Sequence, residues 1–274
     1  LIVASKRHSR LQKVYPPGRI GLLGQAGIPR NDRHYRHALQ PLFKTLHAWG
    51  RSGCELHCPL FTTRSFLRLS VSPYGTDSTP DCVLFDLDGT LADTAPDLIR
   101  ALNTVLNEEN QRSISINEGR WWVAGGSTRL ISEGFALPPS VSAKSPFRDR
   151  LLQHYLNGIC VETTLFEGID DLLESLDSRK SPWGIVTNKP ARFTVPLLKA
   201  LGLASRAAVV VSGDTLSVAK PDPAPLLHAC KVMNVSASSC VYVGDDERDI
   251  IAGASAGMNT IAVNWGYGRP EEIP

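Results

Sequence analysis

No apolar run in this 274-residue chain approaches the roughly 20 residues that a membrane-spanning helix needs. No secretory h-region is present either. A bilayer span is therefore not expected, and a soluble, cytoplasmic protein without a membrane partner is. Cysteine pairing is also missing: Cys82, Cys160, Cys230 and Cys240 lie scattered through apolar segments with no paired spacing. That pattern suits a reducing compartment better than a disulfide framework. "RIGLLGQAGIP", residues 19 to 29, has glycines but no GK[ST], which argues against a phosphate-binding loop of that type. "CELHC", residues 54 to 58, offers Cys54, His57 and Cys58, but no second CxxC or HxxxH completes a tetrahedral zinc site.

Acidic residues are scarce in the first part of the chain. Residues 1 to 80 carry 12 Lys and Arg against 3 acids, a balance of +9, whereas residues 81 to 274 carry 17 against 24, or −7. The basic stretch shows neither sustained helical periodicity nor strand alternation, so no packed domain is expected in it. Three readings fit its composition: an organellar transit peptide, a basic arm for nucleic acid, or upstream sequence from a misplaced start. The third is favoured, because a complete domain is expected to begin near Pro80 and Asp81, and a nucleic-acid partner is not expected.

From residue 81 the chain alternates strands and helices. "VLF" (83 to 85), "WGIVT" (183 to 187), "AAVVV" (207 to 211), "CVYVG" (240 to 244) and "TIAVNW" (260 to 265) read as buried strands. Between them run helical patterns, including residues 93 to 110, 168 to 180, 192 to 202, 223 to 233 and 248 to 257, the first with an apolar stripe of Leu98, Leu102, Val105 and Leu106. Such alternation predicts an α/β fold, a doubly wound, Rossmann-like parallel sheet. In these sheets ligands bind outside the carboxyl ends of the strands.

Those carboxyl ends carry the chemistry. "VLFDLDGTLADT", residues 83 to 94, aims Asp86 and Asp88 out of a buried strand, on one face if the extended conformation persists. Paired carboxylates repel unless a proton or a divalent cation compensates them. Thr187 and Asn188 follow the second strand, Lys220 the third, and Asp245, Asp246 and Asp249 the fourth. Each has a plain structural explanation, as turn residue, solvated charge or helix cap. Their convergence at one edge of one sheet is harder to explain that way.

"DLDGTLADT", "VTNKP", "KPDP" and "GDDERDI" resemble, in order and spacing, the four motifs of the haloacid dehalogenase-like hydrolases, specifically the phosphoglycolate phosphatase branch. Through "TLFEGI", "GIVTNKPARF" and "YVGDDERDI" the chain is also similar to bacterial N-acetylmuramic acid 6-phosphate phosphatases. The resemblance covers residues 81 to 274 and implies a Mg²⁺-dependent phosphatase acting on a small phosphorylated metabolite through an aspartyl-phosphate. It implies Asp86 as nucleophile and Asp88 as general acid and base. Thr187, Asn188 and Lys220 would hold the phosphoryl group. The metal ligands would be Asp86, the backbone carbonyl of Asp88, and Asp245, with Asp246 and Asp249 behind them orienting metal waters or Lys220. Because such proteins usually continue past "WGYGRPEEIP", the chain is expected to stop short of a natural C-terminus.

The roughly 100 residues between Asp88 and Thr187 exceed an ordinary crossover. A helical cap is expected at 95–167, inserted into a core of 81–94 and 168–274. Within it "GRWWVAGGSTR", residues 119 to 129, is the expected substrate loop, with Gly125 and Gly126 allowing close backbone approach and Arg120 or Arg129 meeting a carboxylate. The opposing reading makes Trp121 and Trp122 cap core and the arginines surface. A phosphomutase is the nearest rival function. A dehalogenase is disfavoured because it does not use the second acid.

Overall fold

The computed structural model describes residues 2–4 and 80–268. The remaining residues, including most of the basic stretch with "RIGLLGQAGIP" and "CELHC" and the final six, lie outside the described set. Six strands form the main sheet in the order β1-β8-β7-β2-β5-β6: β1 Ile2–Ala4, β2 Cys82–Phe85, β5 Trp183–Val186, β6 Val209–Val211, β7 Cys240–Gly244 and β8 Asn259–Ala262. From β8 to β6 the pairing is parallel throughout. The expected doubly wound sheet is the architecture found. The backbone of β1 adds antiparallel to the otherwise open side of β8, with Ile2 opposite Ala262. An apolar triplet on an exposed strand edge satisfies N–H and C=O groups that would otherwise lack sheet partners.

Burial follows the period of two. Val83 and Phe85 face one side with Trp183, Ile185, Val241 and Val243, against Leu172 and Leu173 of α6 (Ile169–Ser178) and Leu197 of α7 (Ala191–Ala200). Leu84, Val186 and Tyr242 face the other, against Leu226 and Ala229 of α8 (Ala224–Met233) and Ala252 of α9 (Glu247–Ala256). Phe85 meets Trp183 edge-to-face at 6.4 Å. Each fully buried side chain of this size contributes about 1.5–3 kcal/mol.

A two-stranded ribbon, β3 (Ala92–Asp93) with β4 (Thr164–Leu165), leads into and out of a helical insertion. Helix α1 (Ala95–Glu108) buries the expected stripe of Leu98, Leu102, Val105 and Leu106. Against it pack α3 (Gly126–Gly134) and α5 (Pro146–Asn157), through Leu130, Leu151 and Tyr155. Two short helices, α2 (Ile116–Gly119) and α4 (Pro139–Ser142), link these elements. Residues 119–129, read from sequence as a loop, are mostly helical: a 3₁₀ segment Arg120–Gly125 runs into α3. Gly126 makes that junction, at φ +67°, a backbone conformation that other residues enter only at a cost. Among the described residues, no helix is long and apolar enough to cross a membrane.

Candidate active site

The parallel strands all end at one edge, and the side chains that follow them line a single cavity of about 370 Å³ between the sheet edge and the insertion. The chain bends immediately after β2. Leu87 turns into the core, and the two flanking acids reach different partners. Asp86 Oδ1 accepts a hydrogen bond from Lys220 Nζ at 2.7 Å. Asp88 Oδ1 accepts from Lys189 Nζ at 2.8 Å and from Thr94 Oγ1 at 2.6 Å. Thr94 stands at the N-cap of α1 but spends its hydroxyl on Asp88; the N–H of Ala95 is satisfied by Tyr267 Oη at 2.9 Å.

Lys220 is buried, 5% exposed. Its three N–H groups have four acceptors within reach: Asp86, Asp249 and Tyr242 Oη, each at 2.7 Å, and the carbonyl of Val186 at 3.0 Å. Burial alone would lower its pKa, yet the charges of Asp249 and Asp86 hold it raised. The main chain of Lys220 is gripped by Asn188, whose amide donates to the Lys220 carbonyl and whose oxygen accepts from the Lys220 N–H, both at 2.9 Å. Asn188, expected to touch the phosphate, lines the cavity and with its side-chain amide places Lys220. Thr187 is buried, and its hydroxyl oxygen accepts from the Lys189 N–H, leaving the hydroxyl hydrogen free to donate.

Asp245 sits at the C-terminus of β7, held by Thr90 Oγ1 at 3.0 Å and by the N–H groups of Tyr267 at 2.7 Å and Gly268 at 3.2 Å. Carboxylate oxygens of Asp86, Asp245 and Asp249 lie within 4.8 Å of one another, all buried. Burial pushes the Asp86 carboxyl up to about 7 against the pull of Lys220. The Asp245 carboxyl is pushed up to about 8 by burial and by the charges of Asp86 and Asp249. Three crowded acids sharing one ammonium leave an excess of negative charge. An all-oxygen set of this kind fits a hard divalent cation, which would relieve that excess.

Asp246 and Asp249, expected to orient metal waters or Lys220, have different partners. Both belong to the capping box of α9, but Asp249 bonds Lys220 and closes on the metal-type cluster. Asp246 does not contact Lys220; it binds Arg248, whose Nη2 also reaches the carbonyl of Ala124 at 2.7 Å and so ties the insertion to the core. In the insertion, Gly125 and Gly126 line the cavity. Arg120 and Arg129 do not. Arg120 pairs with Asp93 at 3.0 Å and stacks over Tyr267, while Arg129 pairs with Glu133 on its own helix. Sequence reasoning passed over Lys189, Arg148, Arg192 and Tyr155, which also line the cavity. Lys189 was within reach, one residue past Asn188 in a quoted motif. The others face the cavity only through tertiary packing.

The haloacid dehalogenase-like hydrolase profile matches residues 83–263, and the chain belongs to that family. It is 41% identical over 192 residues to the N-acetylmuramic acid 6-phosphate phosphatase of Pseudomonas putida, an alignment covering 70% of this chain and 86% of the relative. It is 40% identical over 195 residues to a phosphoglycolate phosphatase of Xanthomonas campestris, covering 71% and 88%. Among solved structures, a predicted phosphoglycolate phosphatase from Haemophilus somnus superposes with a TM-score of 0.62 at 28% identity, over 70% of this chain and 89% of that one.

Proposed function

We propose that the chain is a Mg²⁺-dependent phosphatase that hydrolyses a small phosphorylated metabolite, of the phosphoglycolate or N-acetylmuramic acid 6-phosphate kind, through an aspartyl-phosphate. The observation that carries this reading is the meeting of Asp86, Lys220, Asp245 and Asp249 at one buried sheet edge beneath a helical insertion. Relatives of about 40% identity that are named phosphatases support it.

Asp86 is the nucleophile. Its oxygen attacks phosphorus, the bond to the ester oxygen breaks, and the phosphoryl group passes to the carboxylate. Asp88 gives a proton to the departing oxygen and then takes one from the water that hydrolyses the intermediate. Held between Lys189 and Thr94, its carboxyl stays at the leaving-group side. Lys220 and the free Thr187 hydroxyl hydrogen stabilise charge on the phosphoryl oxygens. Asp86, the Asp88 carbonyl and Asp245 would hold Mg²⁺, with Asp249 beside them. The ion supplies compensation for the clustered acids and for the phosphate dianion. Residues 95–167 act as a cap that excludes water and selects substrate.

The test is a phosphate-release screen of the purified chain with Mg²⁺, including phosphoglycolate and N-acetylmuramic acid 6-phosphate. Turnover of one or both, abolished by chelation, is expected. Conversion to an isomeric phosphate without release would replace this reading by a phosphomutase.

A further inference from the structure

Five cationic side chains line the cavity: Arg148, Lys189, Arg192, Lys220 and Arg248. Three are neutralised by carboxylates, Lys220 by Asp86 and Asp249, Lys189 by Asp88, and Arg248 by Asp246. Arg148 and Arg192 have no carboxylate partner among the described residues. Arg148, in the first turn of α5, donates Nε to Ser127 Oγ at 3.0 Å. That bond fixes the plane of the guanidinium while leaving its outer N–H groups available. Arg192, in the first turn of α7, rests its guanidinium over the Phe193 ring, 4.6 Å from the centroid. Close by, Tyr155 is buried and lines the same cavity, its hydroxyl within electrostatic reach of Lys189. Burial pushes that hydroxyl up to about 12, so it remains a donor.

The charges are segregated. All five lining acids belong to the sheet edge and α9, where the phosphoryl chemistry sits, whereas Arg148 enters from the insertion and Arg192 from the rim of the core. A phosphate seated against Lys220 would leave these two forks unanswered. Planar guanidinium groups with free outer N–H atoms match a carboxylate.

We propose that Arg148 and Arg192 form a subsite for a carboxylate on the substrate, making the enzyme selective for phosphorylated acids over phosphorylated alcohols. The proposal rests on the phosphatase reading above and deepens it. Because one arginine comes from the insertion and the other from the core, a substrate carboxylate would draw the two together over the reacting phosphate. Ser127 is the residue that orients Arg148.

The test compares phosphoglycolate with hydroxyethyl phosphate, its neutral counterpart, in the parent and in Arg148→Gln and Arg192→Gln. The parent should prefer the acid by about 10-fold to 100-fold in kcat/KM, the worth of a charge-assisted hydrogen bond. In each variant that preference should fall by about tenfold or more, through KM, with Arg148→Lys recovering part of it. The ratio is independent of the fraction of correctly folded enzyme, so partial misfolding does not obscure it. Equal kcat/KM for the two esters in the parent, or a preference unchanged in both Gln variants, overturns the subsite while leaving the phosphatase reading standing. Release of phosphate neither from these two esters nor from N-acetylmuramic acid 6-phosphate would overturn both.

Discussion

The Asp97 carboxylate and the Thr163 hydroxyl meet at 2.7 Å across 66 residues of chain. The same carboxylate accepts the N–H groups of Val161, Glu162 and Thr163 and a bond from Arg100, so the first turn of α1 holds the segment by which the chain leaves the insertion. Asp97 is fully buried. Burial alone would raise its pKa, yet the hydrogen bonds from Arg100 and Thr163 hold it below the ordinary carboxylate value. A depressed folded pKa stabilises the fold above the unfolded value near 3.9, and this contribution is lost as pH falls through the folded value. Asp97→Asn should therefore cost about 2–4 kcal/mol at neutral pH, since it removes the charge and sets an NH₂ against N–H donors. In denaturant titrations the gap between parent and variant should shrink as pH drops below about 4.

Lys189 is the second lysine of the site and the partner of Asp88. Its ammonium also lies 4.7 Å from the centre of the Tyr155 ring. Lys189→Met should lower kcat by about 10-fold to 100-fold, with a smaller change in KM, because Asp88 loses the group that places it for proton transfer. The loss should be smallest for substrates with an acidic leaving group such as p-nitrophenol, which needs little protonation. Equal losses for all leaving groups would contradict the role.

Gly89 has φ +86°, and a Cβ there would fall 2.3 Å from Asp245 Oδ2. Gly89→Ala should displace the Asp245 carboxylate and weaken metal binding by about tenfold or more, since only glycine both adopts this φ and leaves room for the acid. A Mg²⁺ titration followed by calorimetry reads the effect without relying on turnover.

Mg²⁺ itself should raise the thermal midpoint and chelator should lower it, because an ion that binds the folded state alone stabilises it by mass action. Asp245→Asn should blunt this response. A midpoint insensitive to Mg²⁺ would show that the three acids are not a metal centre.

Much of the sheet was legible because most of its parallel strands are apolar runs closed by polar residues; "CVYVG" is β7 to the residue. The placement of Asp86 and Asp245 at one edge follows from that topology, whereas Lys220 and Asp249 reach it through the loop and helix that follow β6 and β7. What the sequence did not reveal depends on how the insertion lies over the sheet. Arg120 and Arg129 had the right chemistry for an anion, but Asp93 and Glu133 occupy them. Arg148 and Arg192 sit on helices whose local sequence carries no signal of a cavity. Likewise the grip of the Asn188 amide on the Lys220 backbone carries no signal in the sequence.

Catalysis of this kind requires that Asp86 carry the phosphoryl group. Rapid acid quenching during turnover, followed by peptide mass spectrometry, should find one phosphoryl group on the peptide containing Asp86, absent in Asp86→Asn together with phosphate release. An Asp86→Asn enzyme that retains activity within about tenfold of the parent, with no phosphorylated peptide in either, would contradict it.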